Sequence, residues 1–153
     1  QGYFSDKHFV LEAIIRYDKD SINERNDSIM KMLHTCIRVQ HLDKSIAFYK
    51  EAFDFREKKK LDYPEHKFSI VYLGLEGDDY ELELTYNYDH EPYNIGDGYG
   101  HIAIGVDEFE ALHDKQVAAG FNVTDYKGLP DSSVRYYFIT DPDGYKVEVI
   151  QNN

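Results

Sequence analysis

Residues 33–53 read LHTCIRVQHLDKSIAFYKEAF and predict one strand followed by one helix. Apolar and polar side chains alternate over LHTCIRV, which is the two-residue period of a strand. The apolar spacing then changes to four, three and four residues, and this change predicts a helix over LDKSIAFYKEAF. The residues on the apolar face of that helix are Leu42, Ile46, Tyr49 and Phe53. Three further strands follow as FREKKKLDY, KFSIVYLGL and YELELTYNY.

The same order of elements recurs in the second half of the chain. Residues 100–106 predict a strand, GHIAIGV, and the next segment, DEFEALHDKQVAAG, predicts a helix from Asp107 to Gly120. The residues predicted for its buried face are Phe109, Leu112 and Val117. Three strands are then predicted, with the sequences FNVTDY, VRYYFIT and YKVEVIQ.

Two such units are expected to form one α+β domain. A single unit of this kind cannot close its own curved sheet, so we expect modules 32–89 and 98–151 to pair as βαβββ halves of a cup-shaped mixed sheet. The domain is predicted to span residues 31–153. Residues 1–30 are interpreted as an N-terminal extension or an artificial leader, because regular patterning starts at Met30 and no secretory signal precedes it.

The composition narrows the class of function. The 17 basic and 29 acidic residues leave a formal net charge of −12, which disfavours binding to nucleic acid or to an anionic membrane surface. The longest apolar runs are only a few residues, so the sequence contains no transmembrane candidate. Cys36 is the sole cysteine, which excludes an intramolecular disulfide and favours a reducing, cytoplasmic location.

Two histidines and two glutamates occupy equivalent positions in the two modules. His34 and His101 lie near the start of the first strand of each module, and Glu83 and Glu148 lie on the last strand. The strand period places them on the face opposite the apolar residues. A single strand histidine or glutamate is more often a packing or solvent-facing residue, but the coincidence of four predicts a divalent metal site. Mixed nitrogen and oxygen ligation suits Ni²⁺, Co²⁺, Zn²⁺, Fe²⁺ or Mn²⁺ better than Ca²⁺.

A second glutamate, Glu81, shares its strand face with Glu83, and strand parity alone cannot separate the two. The repeat does separate them, because the position equivalent to Glu81 is Lys146. We therefore expect Glu83 to be the ligand and Glu81 to be either a rim residue or a charge-pairing residue with Lys146 as its neighbour. The 14 tyrosines are interpreted as sheet-packing residues.

Four sequence blocks resemble, in order, the signature blocks of the glyoxalase I (lactoylglutathione lyase) family of the vicinal-oxygen-chelate superfamily. They are HTCIRVQHLDKSIAFY, YELELTYN, YGHIAIGV and DPDGYKVEVI, and the likeness covers about residues 32–150. The resemblance implies a glyoxalase/bleomycin-resistance/dioxygenase-like fold and a homodimer. It also implies one divalent metal per site at the subunit interface, held by His34 and Glu83 of one chain and by His101 and Glu148 of the other.

The resemblance further implies the chemistry. A glyoxalase I isomerises the hemithioacetal of methylglyoxal and a low-molecular-weight thiol, here expected to be glutathione, to an S-lactoyl thioester. A carboxylate moves the proton through a metal-bound enediolate, with Glu148 as ligand and base and Glu83 as its counterpart. Ni²⁺ or Co²⁺ is expected rather than Zn²⁺, because the core is similar to the short bacterial form of the family.

Substrate contacts are implied at Arg38 and Asn87, which match family positions that contact the γ-glutamyl end of glutathione. A guanidinium group suits that carboxylate. Residues 127–135, KGLPDSSVR, depart from the glycine-rich loop that bacterial relatives often have near the glycyl end. Lys127 and Arg135 could still supply charge there, but the departure leaves the identity of the thiol open.

Two alternative functions remain within the same superfamily. A small-molecule-binding or resistance protein would sequester a drug or metabolite in the cup, but such proteins usually lack the full set of four ligands. Another metalloenzyme is the second alternative: a ring-cleaving dioxygenase would leave Glu83 surplus, whereas an epimerase acting on an acyl-CoA would use a similar metal and proton transfer. The sequence TYN after Glu83 favours the glyoxalase interpretation.

Overall fold

The computed structural model describes residues 30–130 and 133–152, and the predicted leader, apart from Met30, lies outside the described residues. The first half contains β1 (His34–Arg38), α1 (Leu42–Phe53), β2 (Arg56–Tyr63), a 3₁₀ turn (Pro64–His66), β3 (Phe68–Gly74) and β4 (Glu81–Asn87). The second half contains β5 (Ile102–Val106), α2 (Phe109–Ala118), β6 (Asn122–Val123), β7 (Lys127–Gly128), β8 (Arg135–Thr140) and β9 (Lys146–Gln151).

The strands form two mixed sheets, one from each half of the chain. The first sheet is four-stranded in the order β1-β4-β3-β2, with β1 parallel to β4 and the other pairs antiparallel. The second has the order β5-β9-β8-β6, with β5 parallel to β9 and β7 paired only with β8. The predicted α+β class, with mixed sheets and two helices, is confirmed.

The strand predicted over FNVTDY is the main difference in the second sheet. Two very short strands, β6 and β7, replace it, and residues 124–126 between them are not in a strand. The Thr124 hydroxyl accepts the Phe138 N–H at 3.0 Å, while the Thr124 N–H donates to the Phe138 carbonyl at 2.8 Å. The Thr124 side chain therefore accepts the Phe138 N–H, which a regular strand ladder would bond to a backbone carbonyl.

Helix α2 is shorter than the predicted 107–120 segment, and part of its buried face was predicted wrongly. Asp107 does not cap it, since the N-cap residue is Glu108 and no side chain caps the helix. The Asp107 carboxylate accepts a hydrogen bond from the Asn152 amide at 2.8 Å. Val117 is 52% exposed, whereas Gln116 is buried. The Gln116 amide donates to the Ala52 carbonyl at 2.9 Å and accepts from the Tyr137 hydroxyl at 3.0 Å. Because the Gln116 amide has both a donor and an acceptor partner, its polar side chain can be buried, while the neighbouring Val117 is exposed.

The core is rich in aromatic rings, and a buried polar cluster joins α1 to the turn before β9. The predicted apolar face of α1 is confirmed, with Ile46 partly buried and its other members buried. The Tyr49 hydroxyl donates to Asp141 at 3.0 Å, and Asp143 accepts from the Gln40 N–H at 2.7 Å and the Ser45 hydroxyl at 3.0 Å. Burial raises the pKa of Asp141 to about 6, against the opposing effect of its hydrogen bonds.

Candidate metal site

His34 and Glu83 meet on the first sheet because β1 and β4 are parallel neighbours. Cys36 lies opposite Glu83 in the ladder, so His34, two residues earlier on β1, is a diagonal neighbour of Glu83 on the same face. The His34 Nε2 atom lies 3.2 Å from Oε2 of Glu83. Glu83 is 7% exposed, which is unusual for a carboxylate without a charged or metal partner.

His101 and Glu148 repeat this arrangement on the second sheet. Ala103 lies opposite Glu148 on the parallel neighbour strand, and His101 precedes Ala103 by two residues. The His101 Nε2 atom lies 3.1 Å from Oε2 of Glu148. The structure therefore brings each predicted histidine to its predicted glutamate, by the same register in both modules.

The two His–Glu pairs do not form one group within a single chain. Among residues 30–130 and 133–152, no three or more His, Cys, Asp or Glu side chains are placed to hold a metal together. Each pair supplies one imidazole nitrogen and one carboxylate oxygen that converge, which is a suitable donor set for half of a mixed-ligand site. The residues therefore fit a divalent cation as two half-sites.

The surroundings of the two carboxylates differ. The Thr85 hydroxyl donates to Oε1 of Glu83 at 2.8 Å. Tyr72 lies opposite Glu83 on β3, and burial, together with the nearby Glu83 carboxylate, raises the pKa of the Tyr72 hydroxyl. Beside Glu148 the equivalent positions are apolar, since Phe138 lies opposite it and Ile150 is two residues along the strand.

Tyr72 is the residue near the site that sequence reasoning missed, because it was grouped with the packing tyrosines. Its ring contacts His34 edge-on, with ring centroids 5.5 Å apart, and Phe138 makes the same contact with His101 at 5.5 Å. The signal was available in the repeat, because Tyr72 and Phe138 are equivalent positions that differ by one hydroxyl.

The two predicted substrate contacts lie on the same face of the first sheet as Glu83. Arg38 is exposed and pairs with Thr85 in the ladder, and Asn87 follows Thr85 by two residues. The Asn87 amide donates to the Tyr93 hydroxyl at 2.8 Å. Whether these side chains contact a substrate stays a prediction.

Of the other charged residues singled out from the sequence, Lys127, Lys146 and Arg135 contact an aromatic ring or a carboxylate. Glu81 lies opposite His34 in the ladder, but within the described residues no ion pair joins it to Lys146, whose ammonium lies 6.0 Å from the Phe138 ring. Lys127 also lies over the Phe138 ring, at 5.2 Å. The Arg135 guanidinium pairs with Glu110 at 2.5 Å.

Comparison with known proteins agrees with this architecture. A model of the Glyoxalase/Bleomycin resistance protein/Dioxygenase superfamily matches residues 31–149. Over 126 residues the chain is 43% identical to a lactoylglutathione lyase of Haemophilus influenzae, covering 80% of this chain and 93% of that protein. It is 39% identical over 125 residues to a lactoylglutathione lyase of Neisseria meningitidis serogroup A, covering 80% and 91%.

Two solved structures are also similar. Trypanothione-dependent glyoxalase I of Leishmania major has a TM-score of 0.70 at 38% identity, over 80% of this chain and 87% of that one. Glyoxalase I of Zea mays has a TM-score of 0.74 at 36% identity, over 80% of this chain but only 44% of the maize chain. The chain belongs to the Glyoxalase/Bleomycin resistance protein/Dioxygenase superfamily. Within that superfamily it belongs to the lactoylglutathione lyases, which are enzymes.

No helix in the described ranges is both long enough and apolar enough to cross a membrane.

Proposed function

We propose that this enzyme is a metal-dependent glyoxalase I, which isomerises the hemithioacetal of methylglyoxal and a low-molecular-weight thiol to an S-lactoyl thioester. The observation that carries the proposal is the His–Glu pair repeated at equivalent strand positions, at 3.2 Å and 3.1 Å. A ring-cleaving dioxygenase would need one carboxylate, and a binding protein would need neither pair. The names of the bacterial relatives support the same reaction.

The proposed site is completed by a second copy of the chain. His34 and Glu83 of one copy and His101 and Glu148 of the other would hold one divalent cation, with Ni²⁺ or Co²⁺ favoured and Zn²⁺ as the alternative. The support is that one chain offers two separate half-sites among its described residues. A homodimer of cup-shaped single domains, each built from modules 32–89 and 98–151, would offer two such sites.

A cytoplasmic location, suggested by the single cysteine, remains part of the proposal.

The carboxylates would perform the proton transfer. When bound, a divalent cation polarises two neighbouring substrate oxygens and stabilises the negative charge that develops as a proton leaves carbon. Glu148 would take the proton from C1 of the hemithioacetal and return it to C2, so that the net change is an isomerisation without a redox step. Glu83 would remain a ligand on the other side. Arg38 and Asn87 would bind the carboxylate end of the thiol.

The proposal can be tested by metal reconstitution. The protein is stripped with a chelator and loaded with single metals, and thioester formation is followed with methylglyoxal and either glutathione, trypanothione or another thiol. Trypanothione is included because the Leishmania relative depends on it. We expect the highest rate with Ni²⁺ or Co²⁺. Absence of thioester with every thiol and metal, in a protein that binds one metal per site, would refute the reaction.

A further inference from the structure

The two glutamates of the proposed site are related by the internal repeat, but they have different neighbours. Oε2 of Glu83 faces His34, while Oε1 accepts the Thr85 hydroxyl at 2.8 Å. Tyr72 lies opposite Glu83 on β3, and its ring contacts His34 edge-on, with ring centroids 5.5 Å apart. Both oxygens of Glu83 therefore have defined partners, and its side chain has a single preferred orientation.

Glu148 has no equivalent hydroxyl donors in the described parts of the chain. Its Oε2 faces His101 at 3.1 Å, as Glu83 faces His34. The residues at the positions of Tyr72 and Thr85 are Phe138 and Ile150, and neither side chain can donate a hydrogen bond. The Phe138 ring still contacts His101 as the Tyr72 ring contacts His34. The residue opposite the glutamate also differs, since it is Cys36 beside Glu83 and Ala103 beside Glu148.

We propose that Tyr72 and Thr85 are positioning residues that hold Glu83 in place as a permanent ligand, and that Phe138 and Ile150 leave Glu148 free to move. This inference rests on the proposed function, because it assigns the ligand role and the base role to the two halves of the site. A carboxylate that both binds a cation and carries a proton must be able to leave its ligand position. A carboxylate that accepts a hydroxyl hydrogen bond, as Glu83 does from Thr85, must break that bond before it can move. Both modules therefore contribute the same metal-binding residue types, one histidine and one glutamate. The different roles of the two glutamates come from neighbouring residues that do not bind the metal.

The first test measures metal affinity rather than activity. The dissociation constant for Ni²⁺ or Co²⁺ is obtained by competition with a chromophoric chelator for Tyr72→Phe, Thr85→Val and the double variant. Each single change should weaken binding by about 10-fold, as is typical when a group that orients a ligand is removed, and the double change by more. Thr85→Ser keeps the hydroxyl and should restore the wild-type affinity.

Tyr86→Phe is the matched control. Tyr86 lies on the same strand as Glu83, but it points to the opposite face and contacts Tyr88. Removing its hydroxyl should leave the metal affinity within about two-fold of wild type. If the Tyr72→Phe/Thr85→Val variant also binds metal within two-fold of wild type, the positioning role is refuted.

The second test adds a hydroxyl on the other side. Phe138→Tyr places one opposite Glu148, at the position that corresponds to Tyr72. Metal affinity should be unchanged or tighter, while kcat at saturating metal should fall by about 10-fold, because the base is now restrained. Unchanged kcat together with unchanged affinity would contradict the inference.

Glu83→Gln distinguishes failure of this inference from failure of the proposed function. If Glu83→Gln leaves metal affinity unchanged, Glu83 is not a ligand, and the proposed site fails together with the inference. If Glu83→Gln weakens metal binding but Tyr72→Phe/Thr85→Val does not, the proposed site stands and only the positioning role is wrong.

Discussion

Subunit complementation is the sharpest test of the shared site, because its outcome follows from which chain supplies each His–Glu pair. One variant carries His34→Ala with Glu83→Ala and lacks the first half-site. A second carries His101→Ala with Glu148→Ala and lacks the second half-site. Neither homodimer would have an intact site, since every site would contain one damaged half. In a mixed dimer, one site would combine both damaged halves and the other would combine both intact halves.

The expected magnitude follows from counting sites. Random pairing of equal amounts makes about half of the dimers mixed, and each mixed dimer regains one of its two sites, so a refolded mixture should reach about 25% of wild-type kcat. A mixed dimer purified through two different affinity tags should reach about 50% and bind one cation per dimer. The assay is thioester formation with the reconstituted metal, together with metal analysis of the same sample.

A matched control keeps both lesions in the same half. Mixing the first variant with a chain that carries only Glu83→Ala should restore nothing, because no combination contains an intact first half-site. If tagged mixed dimers of the complementary variants form but show no activity above that control, the half-sites are not shared between subunits. If either double variant alone were active, His34, Glu83, His101 and Glu148 would not be the required set.

Three further outcomes are expected. Glu148→Gln should lower kcat at saturating metal by about 10³-fold and Glu83→Gln by less, because only Glu148 is assigned the proton transfer; near-normal turnover in Glu148→Gln would remove that assignment. Glu81→Gln should leave the metal content of purified protein unchanged, and loss of metal would show that the wrong carboxylate was chosen. Asp141 should make the folded state bind a proton more tightly than the unfolded state between about pH 4 and pH 6, since burial raises its pKa to about 6. The unfolding free energy of wild type, relative to Asp141→Asn, should therefore decrease as pH rises through that window, by at most about 3 kcal/mol; equal differences in urea denaturation at pH 4 and pH 7 would contradict this.

Some errors made from the sequence show where local patterns stop being informative. Val117 was expected inside and Gln116 was not considered, because the apolar pattern cannot show that an amide will find both a carbonyl and a hydroxyl partner in the core. The strand predicted over FNVTDY is interrupted by the hydroxyl of Thr124, which bonds to Phe138, a residue distant in sequence. Both outcomes depend on partners that lie outside the local segment.

The difference between the surroundings of Glu83 and Glu148 also depends on the tertiary structure. Strand parity assigned both glutamates to the open face and the repeat gave each an equivalent histidine, so only the family resemblance implied different roles for them. Only the ladder between β3 and β4 shows that Tyr72 lies opposite Glu83, and only the ladder between β8 and β9 shows Phe138 opposite Glu148. Cross-strand register is set by backbone hydrogen bonds between distant segments, which residue spacing within one strand does not report.

By itself, the sequence determined the α+β class, the repeated order of elements and the face on which each candidate ligand lies. These properties follow from side-chain periods along single strands and helices, which are local geometry. The tertiary structure decided that His34 meets Glu83 and His101 meets Glu148, at 3.2 Å and 3.1 Å. It also decided that, among the described residues, a hydroxyl group bonds to Glu83 and none bonds to Glu148. These contacts need the tertiary structure because the first and last strands of each module pair in parallel. That pairing joins residues that are far apart in the chain.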